Sequence, residues 1–399
     1  MSKRPKLVIL GGGFGGLRLL YQLHRIADLT LVDPRPDSLN KPSLPEVALA
    51  GRPVSRTRFP LARPVRSHGA RLLTAAAERI DPQAHTVRLD NGQVLEYDYL
   101  AVAVGAVKDY AAVPGLEEHG YSVCDDQHAP RLWRAFRAFR GGPVVTGSAP
   151  SAWGTRIEVP ALLAACEGPI GEVAFMAHRE LDRRHLPHRV EVFSPAEIFF
   201  EDVGPRVHAA VEPLLTRAGI SVHTSKRLVE VGADHLRFDD GSTLESALSV
   251  IIPPYKGPEV VRQSGLGDEA GFLPVDRSMR FLDNPDIFGV GDASALSMPK
   301  LGHIAAHQAD IAAAALRQEI LGEARMPAYE PKVFCIMNRG GIDATLILSD
   351  YLYGGGRDIA KSGPLAHLLK WSFDLWTFHS SGHLPPDPMQ SALELLLRA

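Results

Sequence analysis

The plainest chemistry in this 399-residue chain lies in three cysteines, Cys124, Cys166 and Cys335, and one glycine cluster, Gly11-Gly-Gly-Phe-Gly-Gly16. A cysteine acts as a nucleophile through its thiolate, and nearby positive charge lowers the thiol pKa. The spacing G-x-G-x-x-G serves a dinucleotide when it joins a strand to a helix. Gly11 permits the tight turn, Gly13 lets backbone N–H groups approach a pyrophosphate, and Gly16 lets the helix pack on the strand. Phe14 and Gly15 complete the loop. The elements that must position it are present: Lys6–Leu10 reads as a buried parallel strand, Phe14 to Ile26 has helical spacing, and Leu29–Val32 is a second strand ending at Asp33. The helix start supplies partial positive charge. Asp33 lies 17 residues past Gly16, where a carboxylate accepts hydrogen bonds from a ribose.

A second strand–turn–helix pattern follows at 143–146 and 154–166, with a next strand at 190–193. Its turn, Gly147-Ser-Ala-Pro150, lacks the glycine spacing, and Pro150 has no N–H to donate. The next glycine, Gly154, follows bulky Trp153, and Ser194 stands where a ribose-binding carboxylate belongs. The second unit therefore reads as a dinucleotide fold that has lost NADH; the opposing reading is a degenerate loop that holds NADH through side chains.

Hydrophobic content of 45% and charged content of 22% are those of a soluble globular protein. A formal charge of −3 gives no reason to expect nucleic acid. Three cysteines exclude a disulfide scaffold and suit a reducing cytosol. The apolar run Leu7–Leu10 is too short for a signal-peptide core. No metal site is expected: His303 and His307 stand at i and i+4 without an evident third ligand. Cys166, among Leu162, Leu163 and Ala165, reads as core packing.

Asp286-Ile-Phe-Gly-Val-Gly-Asp292 and Tyr97-Asp-Tyr-Leu-Ala-Val-Ala-Val-Gly105 resemble the second and third FAD signatures of the two-dinucleotide-domain flavoproteins. Within that group the chain resembles the sulfide:quinone oxidoreductases and their relatives, the flavocytochrome c sulfide dehydrogenases and type II NADH dehydrogenases. The resemblance also rests on Lys41-Pro-Ser-Leu-Pro45, Ser122-Val-Cys124, Pro299-Lys-Leu-Gly302 and Val333-Phe-Cys335. The missing second glycine loop favours the sulfide:quinone branch.

The resemblance implies FAD as cofactor, held by Gly11, Gly13, Phe14, Gly15, Gly16, Asp33, Pro42, Ser43, Gly105, Gly291, Asp292, Lys300 and Gly302. It implies redox cysteines beside the flavin: Cys335 matches one of the pair and Cys124 a third. The other should lie near Ala152 or Trp153, where no cysteine stands. Glu158 matches a glutamate associated with quinone protonation, Glu46 is a weaker candidate, and Lys300 would stabilise reduced flavin. Arg339, four residues after Cys335, would lower its pKa if the turn folds back.

The fold class expected is α/β: two Rossmann-like, three-layer dinucleotide-binding domains, the second inserted in the first, plus a C-terminal amphipathic part. Residues 1–118 and 272–330 form the FAD domain, 119–271 the inserted domain, and 331–399 the flavin-capping, membrane-facing region. In Pro364–Phe378 a narrow polar stripe of His367, Lys370, Asp374 and Thr377 interrupts Leu, Trp and Phe; Met389–Leu397 is a second amphipathic segment. Segments 364–397 are expected to dock on a bilayer interface. The expected function is electron transfer from a small reductant, a sulfur species among the candidates, through FAD to a quinone, at the inner face of the cell membrane, in a possible homo-oligomer. The alternatives are an NADH:quinone oxidoreductase and an FAD-binding sensor without catalysis.

Overall fold

The structure, a computed structural model, describes residues 4–152, 162–322 and 327–383. Two parallel sheets organise it. In the first, β1 (Lys6–Leu10), β2 (Asp28–Asp33), β3 (Arg71–Thr74) and β4 (Tyr99–Val102) come from the start of the chain. The second contains β5 (Gly142–Ser148), β6 (His188–Phe193), β7 (Ser221–His223) and β8 (Leu248–Ile252). The chain then returns to the first sheet with β9 (Arg280–Phe281) and β10 (Asn284–Gly289). The first sheet runs β9-β10-β4-β1-β2-β3, with only β9 antiparallel to its neighbour. The second runs β7-β6-β5-β8, all parallel. Each sheet reverses its strand order beside its first strand, β1 or β5. Those reversals are where open α/β sheets part at their carboxyl ends and bind ligands.

Runs such as Leu7-Val-Ile-Leu10 form strands because both faces of the sheet are covered, so every side chain is buried. Helix α1 (Phe14–Leu23) lies against the later helix of 20 residues, Gly302–Leu321. That later helix brings buried alanines, including Ala309, Ala312 and Ala313, to the contact, and it ends at left-handed Gly322, whose N–H reaches Gln318 O at 2.9 Å.

Among the other elements are α2 (Leu44–Ala50), α3 (Gly168–Arg183), α4 (Pro205–Arg217), α5 (the Gly302–Leu321 helix), and a C-terminal antiparallel sheet of β11 (Val333–Asn338), β12 (Ala344–Ser349) and β13 (Asp358–Gly363) closed by α6 (Pro364–His379). The helix expected over 154–166 is corrected for its described part. Residues 162–166 are not helical; Ala164 bridges to Pro150, and Leu163 and Ala164 donate their N–H groups to Glu201 at 2.7 and 2.6 Å. The helix starts at Gly168, with Pro169 in the first turn, where a missing N–H costs nothing.

The polar stripe of α6 faces inward. Lys370, Asp374 and Thr377 are buried, while Leu365 and Trp371 are 70% and 57% exposed and Leu368, Leu375 and Trp376 are also exposed. Among the described residues no helix is long and apolar enough to cross a membrane.

Candidate active site

A cavity of about 550 Å³ runs along the carboxyl ends of the first sheet's strands and on to α3, β11 and α6. At one end stands Asp33, where β2 stops. Its Oδ2 accepts the Gly12 N–H at 2.7 Å and its Oδ1 the Arg35 N–H at 2.8 Å. Burial nevertheless raises its pKa.

Next comes the glycine loop between β1 and α1. Gly11 has φ 102°, and a side chain there would overlap the Ala103 carbonyl that follows β4. A side chain on Gly16 would overlap the Gly11 carbonyl, which is how helix and turn come so close. Gly13 differs: a methyl group built there meets nothing within 4 Å. The space in front of the first-turn N–H groups is open, and no side chain caps them and no acid lies in that turn. This cradle fits a pyrophosphate.

Past the loop, Gly105, Gly291, Asp292, Lys300, Gly302 and His303 line the same cavity. Burial opposes ionisation of Asp292, but Lys41 (Nζ to Oδ2 3.8 Å), Lys108 and Lys300 outweigh it and hold the carboxyl below its usual range. Burial in turn lowers Lys300 and Lys108 to about 8 each. Lys300 Nζ lies over the Phe272 ring and donates to Ser294 O at 3.3 Å. His303 is half-buried, its Nε2 enclosed and making no hydrogen bond, and desolvation lowers its pKa to about 3. His307 stacks on Tyr329. Of the residues expected to touch a cofactor, Pro42 lines the cavity, while Ser43 is wholly buried and accepts a hydrogen bond from Asn40 Nδ2 at 2.9 Å.

All three cysteines line this one cavity. Cys166, read from sequence as core packing, is buried and also lines the cavity just before α3. Cys335 Sγ lies against Gly168, two residues further on, where an added methyl would be 3.2 Å away. Burial, then Asp202, then the charges of Cys335 and Cys124 push the Cys166 thiol well up. Burial, with Glu172 adding, pushes Cys335 up to about 12, and Lys370 pulls it down. Arg339, expected to help Cys335, does not: Asp343 holds it at 2.7 Å. Burial raises Cys124, with Ser122, Tyr255 and Lys108 opposing.

Beyond the cysteines, Glu172 of α3 and Lys370 of α6 form a buried pair inside a larger cluster. Glu172 Oε1 also accepts the Asn338 N–H at 3.2 Å; Glu46 Oε1 lies 3.5 Å from Lys370 Nζ and accepts from Asn338 Nδ2 at 3.2 Å. Asp374 is tied to Arg52 at 2.9 Å. Burial, with Glu46 adding, pushes Glu172 up to about 8, and the surrounding carboxylates hold Lys370 charged. Neither Glu172 nor Lys370 was singled out as a site residue from sequence, although Lys370 had been read as part of the polar stripe. Glu158, Trp153 and the segment 389–397 lie outside the described residues.

The family model described as pyridine nucleotide-disulphide oxidoreductase matches residues 5–309. The chain belongs to that family. Among curated proteins it is similar to the sulfide-quinone reductase of Aquifex aeolicus, at 28% identity over 98% of this chain and 95% of that one. It is also similar to a type II NADH:quinone oxidoreductase of Staphylococcus epidermidis, at 22% identity over 95% and 96%. The solved structure of the Aquifex aeolicus sulfide:quinone oxidoreductase superposes with a TM-score of 0.87 at 26% identity, covering 99% of this chain and 96% of that one. The two Rossmann-like domains, the second inserted in the first, are the fold of these flavoproteins. As a pyridine nucleotide-disulphide oxidoreductase of this kind, the protein is an FAD-dependent oxidoreductase. Asp33, the open loop at Gly13 and the Lys41–Lys108–Lys300 group could hold the cofactor's ribose, pyrophosphate and flavin in turn.

Proposed function

We propose that the protein passes electrons from a small sulfur reductant, sulfide foremost, through FAD to a quinone at a membrane surface. The observation that carries this reading is the convergence of Cys166 and Cys335 on one cavity. The sequence expectation placed the partner of Cys335 near Ala152; Cys166 takes that role. Bound FAD supplies a two-electron acceptor. Cys335 on β11 and Cys166 before α3 hold the sulfur between them. Their buried thiols ionise poorly, so the positive Lys370 near Cys335 favours the thiolate when sulfur chemistry requires it.

A quinone gains two protons as it gains two electrons. Glu172, protonated up to about 8, keeps a proton where Phe334, Phe373 and Lys370 line the far end of the cavity. The exposed Leu and Trp face of α6 beside this end suits a bilayer interface, the source of a lipid-soluble acceptor. An NADH donor is disfavoured by the second sheet. Ser194 is fully buried and Phe193 packs on Gly147, filling the ground a nicotinamide nucleotide would need.

Anaerobic stopped-flow reduction of the FAD-loaded protein tests this. Sulfide should bleach the flavin faster than NADH, and Cys166→Ser and Cys335→Ser should each slow that step by about 100-fold or more, the scale of a lost nucleophile. Faster bleaching by NADH selects the NADH:quinone reading. Bound flavin that neither donor reduces selects a sensor.

A further inference from the structure

We propose that His178, Asp182 and His188, at the turn joining α3 to β6, form a site for one divalent transition-metal ion of the zinc kind. They are the one group of three or more His, Cys, Asp or Glu ligands among the described residues whose ligand atoms all fall within 4.8 Å of one another. The turn is rigid. His185 is left-handed (φ 53°), and the Leu186 N–H closes on Leu181 O at 3.1 Å. His178 and Asp182 stand one turn apart on α3, and the closure returns the chain so that His188 opens β6 against them.

The hydrogen bonds leave one positive charge missing. His188 Nδ1 donates to Leu186 O at 2.8 Å, which places a proton on Nδ1, so that in the neutral ring Nε2 carries a bare lone pair. That Nε2 lies 3.1 Å from His178 Nδ1, which must then donate. The other nitrogen of His178, Nε2, lies 3.3 Å from Asp182 Oδ2. In a neutral His178 two acceptors therefore face each other. A proton or a metal ion would resolve this.

The neighbouring arginines are directed elsewhere: Arg183 is paired with Glu180, and Arg179 lies 4.0 Å from Asp343. The 3.1 Å between His178 Nδ1 and His188 Nε2 is close to the roughly 3.3 Å separating two nitrogens on one tetrahedral zinc. Asp182 Oδ1 is 3.8 Å from His188 Nε2, and Asp182 is the exposed member, so the fourth position opens to water.

Titration of metal-free, FAD-loaded protein with zinc chloride by calorimetry, and with cobalt chloride by absorption, tests the site. One equivalent should bind, and His178→Gln and His188→Gln should each weaken it by about 10-fold or more. Wild type should gain thermal stability on adding zinc while His178→Gln gains none. Flavin content and melting temperature in chelator show whether the variants fold; if either does not, Asp182→Asn, at an exposed position, replaces it and should weaken binding in the same sense. Equal binding in folded variants, a thiolate-to-cobalt band that survives in His178→Gln, or no binding to wild type would overturn the proposal.

Discussion

The two sheets build their crevices by the same rule, and among the described residues the first is open where the second is filled. In the first sheet the strand order reverses between β1 and β4, and the loop there is glycine with free space over Gly13. In the second the order reverses between β5 and β8, and the described start of the loop there, 148–152, is filled. Ser148 and Ala149 are fully buried, Ala149 N–H bonds Ile252 O at 2.9 Å, and Ser151 Oγ accepts the Tyr255 N–H at 3.1 Å. The helix that follows β5 is not idle. Its approach and first turns present Cys166, Pro169 and Glu172 to the cavity of the first sheet. A supersecondary unit that elsewhere cradles a second pyrophosphate here supplies a thiol and an acid to the first.

The sharpest way to break this comparison is to put side chains into both loops. Gly13→Val meets open space, so it should leave the fold intact yet lower bound FAD by 10-fold or more, read from flavin absorbance and a thermal melt. Gly147→Ala presses on the Phe193 ring and should cost about 1–3 kcal/mol of stability while FAD content holds. Loss of FAD in the second variant, or none in the first, would mean the crevices are not divided as described.

A smaller effect concerns Glu172. Its folded pKa is raised from 4.5 to about 8, so the folded protein holds a proton that the unfolded chain has released in that interval. Its contribution to stability is therefore present at low pH and is lost as pH rises towards 8. Reoxidation of reduced enzyme by a short-chain quinone should slow as pH rises through about 8, and Glu172→Gln should flatten that profile, with a several-fold loss at pH 7. An unchanged profile would return the proton to another group.

The smallest effect belongs to the outer face of α6. Trp371→Asp should change stability by less than about 0.5 kcal/mol because the ring is exposed. It should nonetheless reduce co-sedimentation with neutral phospholipid vesicles. Equal sedimentation would remove the bilayer from the proposal.

What could be read from sequence was local. The first loop, Asp33, and the helix from Gly302 to Leu321 follow from spacing that a few neighbouring residues decide. The start of α3 was misread because Leu162 to Cys166 is apolar enough to imitate a helix. The signal that would have corrected it was Gly168-Pro169, a pair suited to a helix beginning. Cys166, among Leu162, Leu163 and Ala165, was assigned to the core, and the partner of Cys335 was sought near Ala152 or Trp153. The pair Glu172 and Lys370 is 198 residues apart, and no periodicity reports such a contact. The stripe on α6 was legible, but which way it faced was not. A helix pattern fixes two faces, and only the neighbours decide which is inside.

That orientation ties two properties together. Lys370 reaches Glu172 and Glu46 from one side of α6 while Trp371 meets the outside from the next position along. A truncation meant only to make the protein easier to handle, cutting before residue 364, would therefore also strip Glu46 of a cation and Glu172 of a hydrogen-bond donor. Anchoring and charge balance share one helix, so they are lost or kept together.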